Sequence, residues 1–470
     1  MRSYTSLIRH QGNQELLLFT ELAIIGVIAK TPLHLHVEGL RGTGKTTILR
    51  AASSLLPLLY RIKGCMFNCD PNSPHCPRHH LLQEDEAKSF ALEQVTIPFF
   101  EISHSAKIGT VTGTLDLTAL TDTNRPEAAI LPGTLPRAHR GIVLVDEINR
   151  LADTAPELTD ILLDAMGTKP GRVQIEENGL PTVALPLEVS IWASSNPDED
   201  PGSLADIRRQ LSDRFDFMVQ MKRPLEVGPL LAILNQDCKT KQGLSKALAA
   251  DIELGLALAR KATRVQDIMF PAAMLESIAE IYIKHHLESI RALEAIKTGA
   301  ALHTVHRDGC QVGWDDVLAV TPAALRHRLD PEQLAAVLKD LQRERGLLDH
   351  TAAAAGSNLV SVDVNRSNPS SVSNTGKRGC QQEPGRWHRL IAWFRRLLSR
   401  KHDRYPKENR IDGSKAGRAA ASGGGSKTSS QPGNPLDMPL VAPPSVAMPL
   451  WELDLEDSII EGEVDDAPNH

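Results

Sequence analysis

Gly39-Leu40-Arg41-Gly42-Thr43-Gly44-Lys45-Thr46 places three glycines, one lysine and one terminal hydroxyl in the spacing G-x-x-x-x-G-K-[ST]. Glycines let a backbone wrap closely around a polyphosphate with its N–H groups turned inward. Lys45 would bring a point charge to the β- and γ-phosphates, and Thr46 offers a hydroxyl ligand for Mg²⁺, with Thr47 next in the phosphate-binding run. The flanks suit this chemistry. Leu33-His34-Leu35-His36-Val37-Glu38 alternates after Pro32, as a strand does, and Thr47–Ala52 holds helix formers with no breaker before Pro57. Strand, glycine loop and helix form the context a P-loop requires.

A second chemical stretch is Gly141-Ile142-Val143-Leu144-Val145-Asp146-Glu147. Four apolar residues ending in two carboxylates describe a buried parallel strand with acids at its carboxyl end, where open α/β sheets place ligands. Asp146 is expected beside Thr46, holding Mg²⁺ largely through water. Glu147 is expected to orient and polarise the water that attacks the γ-phosphate. Val189–Asn196 predicts another strand, ending in an amide. Asn196 either hydrogen-bonds the γ-phosphate or the attacking water, or it caps the turn before Pro197. Arg208, Arg209 and Arg214 follow as exposed helix charges or as guanidiniums that reach a neighbouring subunit's nucleotide. Cys65-x3-Cys69-x6-Cys76-x2-His79 gathers thiols and an imidazole in a proline-rich loop. That set suits a tetrahedral Zn²⁺ stapling a loop without a core of its own, with free thiols as the alternative.

These groups need a framework, and 470 residues suffice for two or three domains. The net charge of −6 argues against wholesale nucleic-acid binding. No apolar run reaches membrane-spanning length; Leu16–Ile25 carries Glu21 and fits a buried helix. Six cysteines and no apolar leader with a cleavage site point to a reducing cytoplasm. The pattern predicts a helix over 13–28, a strand over 94–100, a helix over 149–166 and a hairpin over 172–189 turning at Asn178-Gly179. From Leu225 to about Leu348 it is helical throughout, with breaks near Arg264, Gly309–Gly313 and Asp330.

Composition then shifts to Ser, Gly, Pro, Asn and Lys, which reads as flexible linker over 349–450. Within it, 386–404 is a basic amphipathic segment carrying Trp387 and Trp393. It suits an anionic surface, a membrane interface or a partner groove, or a helix docked on its own domain. The acidic, apolar-spaced end over 451–470 reads as a tethered docking motif or as fraying chain.

Several segments together resemble the AAA+ ATPase (I) subunit of magnesium chelatase, within the wider group that includes MoxR-type ATPases. Gln11–Glu15 is similar to the family's opening helix, and Gly113-Thr114-Leu115-Asp116-Leu117 to its G-[ST]-[IL]-D-[IL] segment. Pro132–Gly141 followed by Val145–Asn149 resembles the stretch leading into its Walker B strand. Ser195-Asn196-Pro197 resembles its sensor 1, Gln210–Phe215 its Q-L-L-D-R-F, and Glu288–Ala292 its sensor-2 helix. Trp314–Val317 through Ala324–Leu329 resembles the closing lid helix. The likeness covers roughly 8–345.

It implies an α/β P-loop AAA+ domain over 1–224, a mostly parallel central sheet flanked by helices, with the Cys/His loop (64–80) and hairpin (172–189) as inserts. An all-α lid follows over 225–348, then a largely disordered tail. It implies ATP and Mg²⁺ as ligands, Asn196 as sensor 1, Arg214 as an arginine finger acting in trans, and Arg291 as sensor 2. Assembly would be a homo-oligomeric ring, usually a hexamer, and a separate D-subunit-like partner would carry the von Willebrand A domain that this chain lacks. The activity implied is ATP hydrolysis driving metal insertion into a tetrapyrrole. A MoxR-like chaperone for metalloprotein maturation and a slow-turnover nucleotide-dependent scaffold are the alternatives.

Overall fold

The computed structural model describes residues 2–80, 90–115, 130–176, 182–198, 201–235 and 241–357. The chain divides at Cys380/Gln381 into two units, and all described residues belong to the first. The strands in chain order are β1 (Leu35–Gly39), β2 (Leu58–Ile62), β3 (Leu92–Thr96), β4 (Phe99–Ile102), β5 (Gly113–Leu115) and β6 (Ile130–Pro132), then β7 (Gly141–Val145), β8 (Gly171–Ile175), β9 (Val183–Leu187), β10 (Val189–Ser195) and β11 (Phe217–Met221). Five of them form one sheet in the order β11-β1-β10-β7-β4, every pairing parallel. Three antiparallel ribbons, β2-β3, β5-β6 and β8-β9, stand outside it.

Alternation sorts the side chains of this sheet into two apolar layers. Ile142 and Leu144 of β7 join the layer containing helix Gln14–Ile28, whereas Val143 and Val145 join the layer containing helices Ile148–Thr154 and Pro156–Ala165. Burial on both faces explains why β7 is a continuous apolar run. Helix Gln14–Ile28 is buried almost all round, with Phe19 against Phe217 at 4.8 Å between ring centroids. The carboxyl-terminal helices Lys241–Ala262, Ala272–Lys284, Ile290–His306, Trp314–Leu325 and Pro331–Ser357 pack into that same layer through Leu258, Ile296, Val317 and Val337.

Local breakers refine the sequence expectations. The strand expected over 94–100 is two strands in different sheets, because Pro98 has no N–H to donate and the chain leaves the β2-β3 ribbon there for β4. The helix expected over 149–166 is two, separated at Ala155 (φ −139°, ψ 70°), where Pro156 starts the second at its first turn. The helical region has a further break at His285–Ser289, and its last helix runs to Ser357, past the expected start of the linker at 349. Runs of alanine favour helix there. The hairpin over 172–189 forms from β8 and β9, while its Asn178-Gly179 turn, Asp116, Leu117, the basic segment 386–404 and the tail 451–470 lie outside the described residues. Among the described residues no helix is long and apolar enough to cross a membrane.

The polar members of the alternating run at β1 are buried as well. His34 Nδ1 accepts from the Ile191 N–H at 3.1 Å, and His36 Nε2 pairs with Ser195 Oγ at 2.8 Å. Burial lowers the pKa of His34 to about 4, opposed by Asp216 and helped by Lys169 and Arg291, and lowers that of His36 to about 3. Both folded values lie below the unfolded one of about 6.5. The unfolded chain therefore binds protons that the folded chain refuses, so stability is full above that pH and falls as pH drops below it. Each histidine contributes a slope approaching about 1.4 kcal/mol per pH unit. Urea midpoints measured from pH 7 to pH 5 are expected to fall steadily; a midpoint constant across that window would contradict the buried neutral imidazoles.

Candidate nucleotide site at the carboxyl edge of the sheet

β1 delivers the chain to the phosphate-binding loop, and helix Lys45–Ala51 leaves it. Gly42 (φ +76°) and Gly44 (φ +95°) hold left-handed backbone, and a Cβ at either would meet nothing within 4 Å. Glycine is thus required by the turn itself, and the space over the loop is open, as a polyphosphate cradle needs. Lys45 is buried, and its Nζ donates to Gly39 O at 2.6 Å, Leu40 O at 2.9 Å and Asn196 Oδ1 at 2.6 Å. Thr43 Oγ1 donates to Leu40 O at 2.9 Å, while Arg41 and Thr47 are exposed.

Asp146 follows the last residue of β7, and its carboxylate collects donors from three directions. Thr46 Oγ1 donates to Oδ1 at 2.9 Å, Ser194 Oγ donates to the same oxygen, and Arg50 Nη2 lies 3.3 Å from Oδ2. Arg50 is itself clamped by Glu101 at the end of β4, a bond that raises the guanidinium's pKa. Glu147 sits at φ +52°, a conformation a non-glycine residue adopts at a cost of about 1–3 kcal/mol, and such outliers concentrate at functional sites. Its carboxylate pairs with Arg150 at 3.2 Å. Buried Asn149 ties this turn to the next strand by donating to Asn196 O at 3.3 Å and Gly202 O at 3.0 Å. A cleft of about 340 Å³ opens beside the loop, lined by Gly39, Leu40, Pro197, Met221 and Lys222 among others.

The structure thus brings Lys45, Thr46, Asp146, Glu147 and Asn196 to one edge. It does not bring Arg214 or Arg291 there. Arg214 ends helix Arg209–Arg214 with Nη1 at 3.4 Å from Gly167 O, and Arg291, at the start of helix Ile290–His306, donates to Gly167 O and to Met166 O at 3.3 Å. Burial, then the charge of Arg291, lowers the Arg214 pKa, and Arg291 also bears on His34 at the amino end of β1. The two arginines therefore cluster at the amino edge of the sheet, roughly 15 Å of strand away from the loop of their own chain.

Ser194, Arg50 and Asn149 carry much of this geometry and have no assigned part in the sequence reading. Position offered a signal for two of them. Ser194 is one face-repeat before Asn196 on the same strand, and Asn149 lies three residues after Asp146. Arg50 offered none, since only the packing of the loop's helix against β4 brings it to Asp146.

The cysteine loop forms a separate site. Sγ of Cys65, Cys69 and Cys76 and a ring nitrogen of His79 lie within 4.8 Å of one another, and all four residues are buried.

No protein-family model matches the chain. Among curated proteins it is similar to the magnesium-chelatase 38 kDa subunit of Acidiphilium rubrum, 32% identical over 319 residues that span 66% of this chain and 87% of the relative. The magnesium-chelatase 38 kDa subunit of Cereibacter sphaeroides is 29% identical over 65% of this chain and 88% of its own. Among solved structures, a complex between subunits BchI and BchD of magnesium chelatase aligns at 25% identity and a TM-score of 0.37, over 71% of this chain and 98% of that one.

Because Ser194 orients Asp146 from behind, Ser194→Ala is expected to weaken Mg²⁺-dependent nucleotide binding by about 10-fold or more. Titration of a fluorescent nucleotide at fixed and varied Mg²⁺ checks this; an unchanged Mg²⁺ requirement would leave Thr46 and Arg50 as sufficient support.

Proposed function

This chain belongs to the magnesium-chelatase I-subunit family, and from that membership we propose that it is an Mg²⁺-ATP-hydrolysing ring motor that drives metal insertion into a tetrapyrrole. The observation that carries the proposal is the division of labour between the two sheet edges. Lys45, Thr46, Asp146, Glu147 and Asn196 converge at the carboxyl edge, while Arg214 and Arg291 face away at the amino edge.

The loop backbone from Gly39 to Thr47 cradles the phosphates, and the cleft beside Leu40 and Met221 receives the base. Lys45 exchanges its contacts with Gly39 O and Leu40 O for phosphate oxygens. Thr46 and Asp146 are the donor set for Mg²⁺, which neutralises charge developing on the phosphates when bound. Glu147, released from Arg150, takes a proton from the attacking water, and Asn196 positions that water or the γ-phosphate. A head-to-tail ring, with six subunits as the expected closure, sets the amino edge of one subunit against the carboxyl edge of the next. Arg214 then supplies a guanidinium to the neighbour's transition state, and Arg291, held on the same Gly167 carbonyl, acts from the same side.

In this reading residues 1–224 form the nucleotide domain and 225–348 the lid. The tail over 349–470 engages a separate D-subunit-like partner carrying a von Willebrand A domain, in the cytoplasm.

Glu147→Gln is expected to keep ATP binding and lose hydrolysis by about 100-fold or more. Arg214→Ala is expected to lose about 1,000-fold while binding ATP normally. Mixing the two inactive variants should restore about a quarter of wild-type activity, because random rings pair an intact Glu147 with an intact neighbouring Arg214 at about one interface in four. A mixture as inactive as its parts would argue against completion in trans. Metal insertion assayed with ATP and the D-like partner reads the coupling, and turnover without insertion would assign the motor to a protein client.

A further inference from the structure

The loop joining β2 to β3 has few apolar side chains, yet it buries three thiols and an imidazole against one another. Cys65 and Cys76 hold their sulfurs 4.0 Å apart, and His79 Nδ1 lies 3.2 Å from Cys76 Sγ. A Zn²⁺ with Zn–S of about 2.3 Å separates neighbouring sulfurs by about 3.8 Å, so these atoms already stand near the corners of one tetrahedron. Two tight turns present them. The Asn68 N–H donates to Cys65 O at 3.3 Å, and the N–H groups of His79 and His80 both donate to Cys76 O at 2.9 Å. A disulfide between Cys65 and Cys76 would leave Cys69, fully buried, without a role.

Charge around the cluster points the same way. Arg140, whose side chain is nine-tenths buried, donates to Asn68 O at 2.9 Å and Cys69 O at 3.3 Å, and Lys30 reaches Asp70 at 2.7 Å. Two cations thus lie beside the thiols with Asp70 between them, and the Glu188 carboxylate also bears on Arg140. Three thiolates, a neutral imidazole and a divalent ion carry one negative charge in total, which the neighbouring guanidinium and ammonium oppose, and buried charges are retained where they are paired.

We infer that Cys65, Cys69, Cys76 and His79 are the four ligands of a single structural Zn²⁺ that staples this loop onto the amino end of β7. All four positions are filled by protein, so the ion is closed to substrate and water. Its mechanical link is Arg140, the residue before β7, whose guanidinium holds the carbonyls of Tyr60, Asn68 and Cys69 while its N–H donates to Glu188 O at 2.6 Å. His75 pairs with Cys69 Sγ at 3.5 Å and stacks on His139 at 3.9 Å between centroids, which makes it an outer support and not a ligand.

The site does not depend on the ATP reading, and its test has its own readout. Metal analysis of the full chain, purified without a metal-affinity step, is expected to give about one zinc per chain. Cys69→Ser and His79→Ala should lose it, whereas His75→Ala should keep it. Cobalt-reconstituted protein should show the intense ligand-field bands of a tetrahedral thiolate site, lost in the same variants. Less than about a tenth of a zinc per chain, both as purified and after reconstitution with zinc and dialysis, would overturn the assignment. Retention of zinc in His79→Ala with loss in His75→Ala would overturn the ligand set.

Discussion

The parallel registration of β1, β10 and β7 is the constraint on which the rest of the molecule depends. β10 lies between the phosphate-binding strand and the acidic strand, with Leu35 opposite Trp192 and Trp192 opposite Leu144. That register aligns the three carboxyl ends, so Asn196 meets Lys45 while Ser194 meets Asp146. Alternation sends Ser195 the other way, onto His36. A slip of one residue in β10 would exchange these faces and dismantle both contacts together. Burial of β7 and β10 on both sides, with Trp192 and Val143 fully enclosed, resists such a slip.

The same polarity separates the arginine pair from the edge that carries Lys45 and Asp146. Arg214 and Arg291 rest on the carbonyls of Met166 and Gly167, just past the carboxyl end of helix Pro156–Ala165, where unpaired carbonyls and the helix dipole favour positive charge. That setting offsets the burial and the mutual repulsion that lower the Arg214 pKa. It also places the arginines at the far end of a short run of chain that begins at Glu147 and passes through two helices. The strained Glu147 turn and the carbonyls that hold the two guanidiniums therefore lie on one short run of chain, although they occupy opposite edges of the sheet.

The amino edge carries the cysteine loop as well. Arg140 joins this loop to β7, and Lys30 joins it to the end of helix Gln14–Ile28 through Asp70. The loop thus braces the start of β7 and the end of helix Gln14–Ile28. A segment with so few apolar side chains gains little from burial, so its order must come from polar contacts and, in our assignment, from a metal ion.

Much of the candidate site is legible in the sequence, because phosphate chemistry demands particular residues at fixed spacing within one contiguous stretch. Gly39–Thr46 and Val145–Glu147 are of that kind, and so is the alternation that marks β1 and the β8-β9 hairpin. The breaks at Pro98 and Pro156 were written in the sequence but outweighed by the apolar pattern around them. What composition and periodicity could not reach were contacts between distant segments. Arg50 closing on Asp146, Asn149 bracing Asn196, and Arg291 joining Arg214 at Gly167 each span parts of the chain that periodicity treats as independent. The sequence by itself determined the glycine loop and the acidic strand end, since those patterns are local. Tertiary structure alone decided which edge each charge occupies, since that follows from strand order and packing.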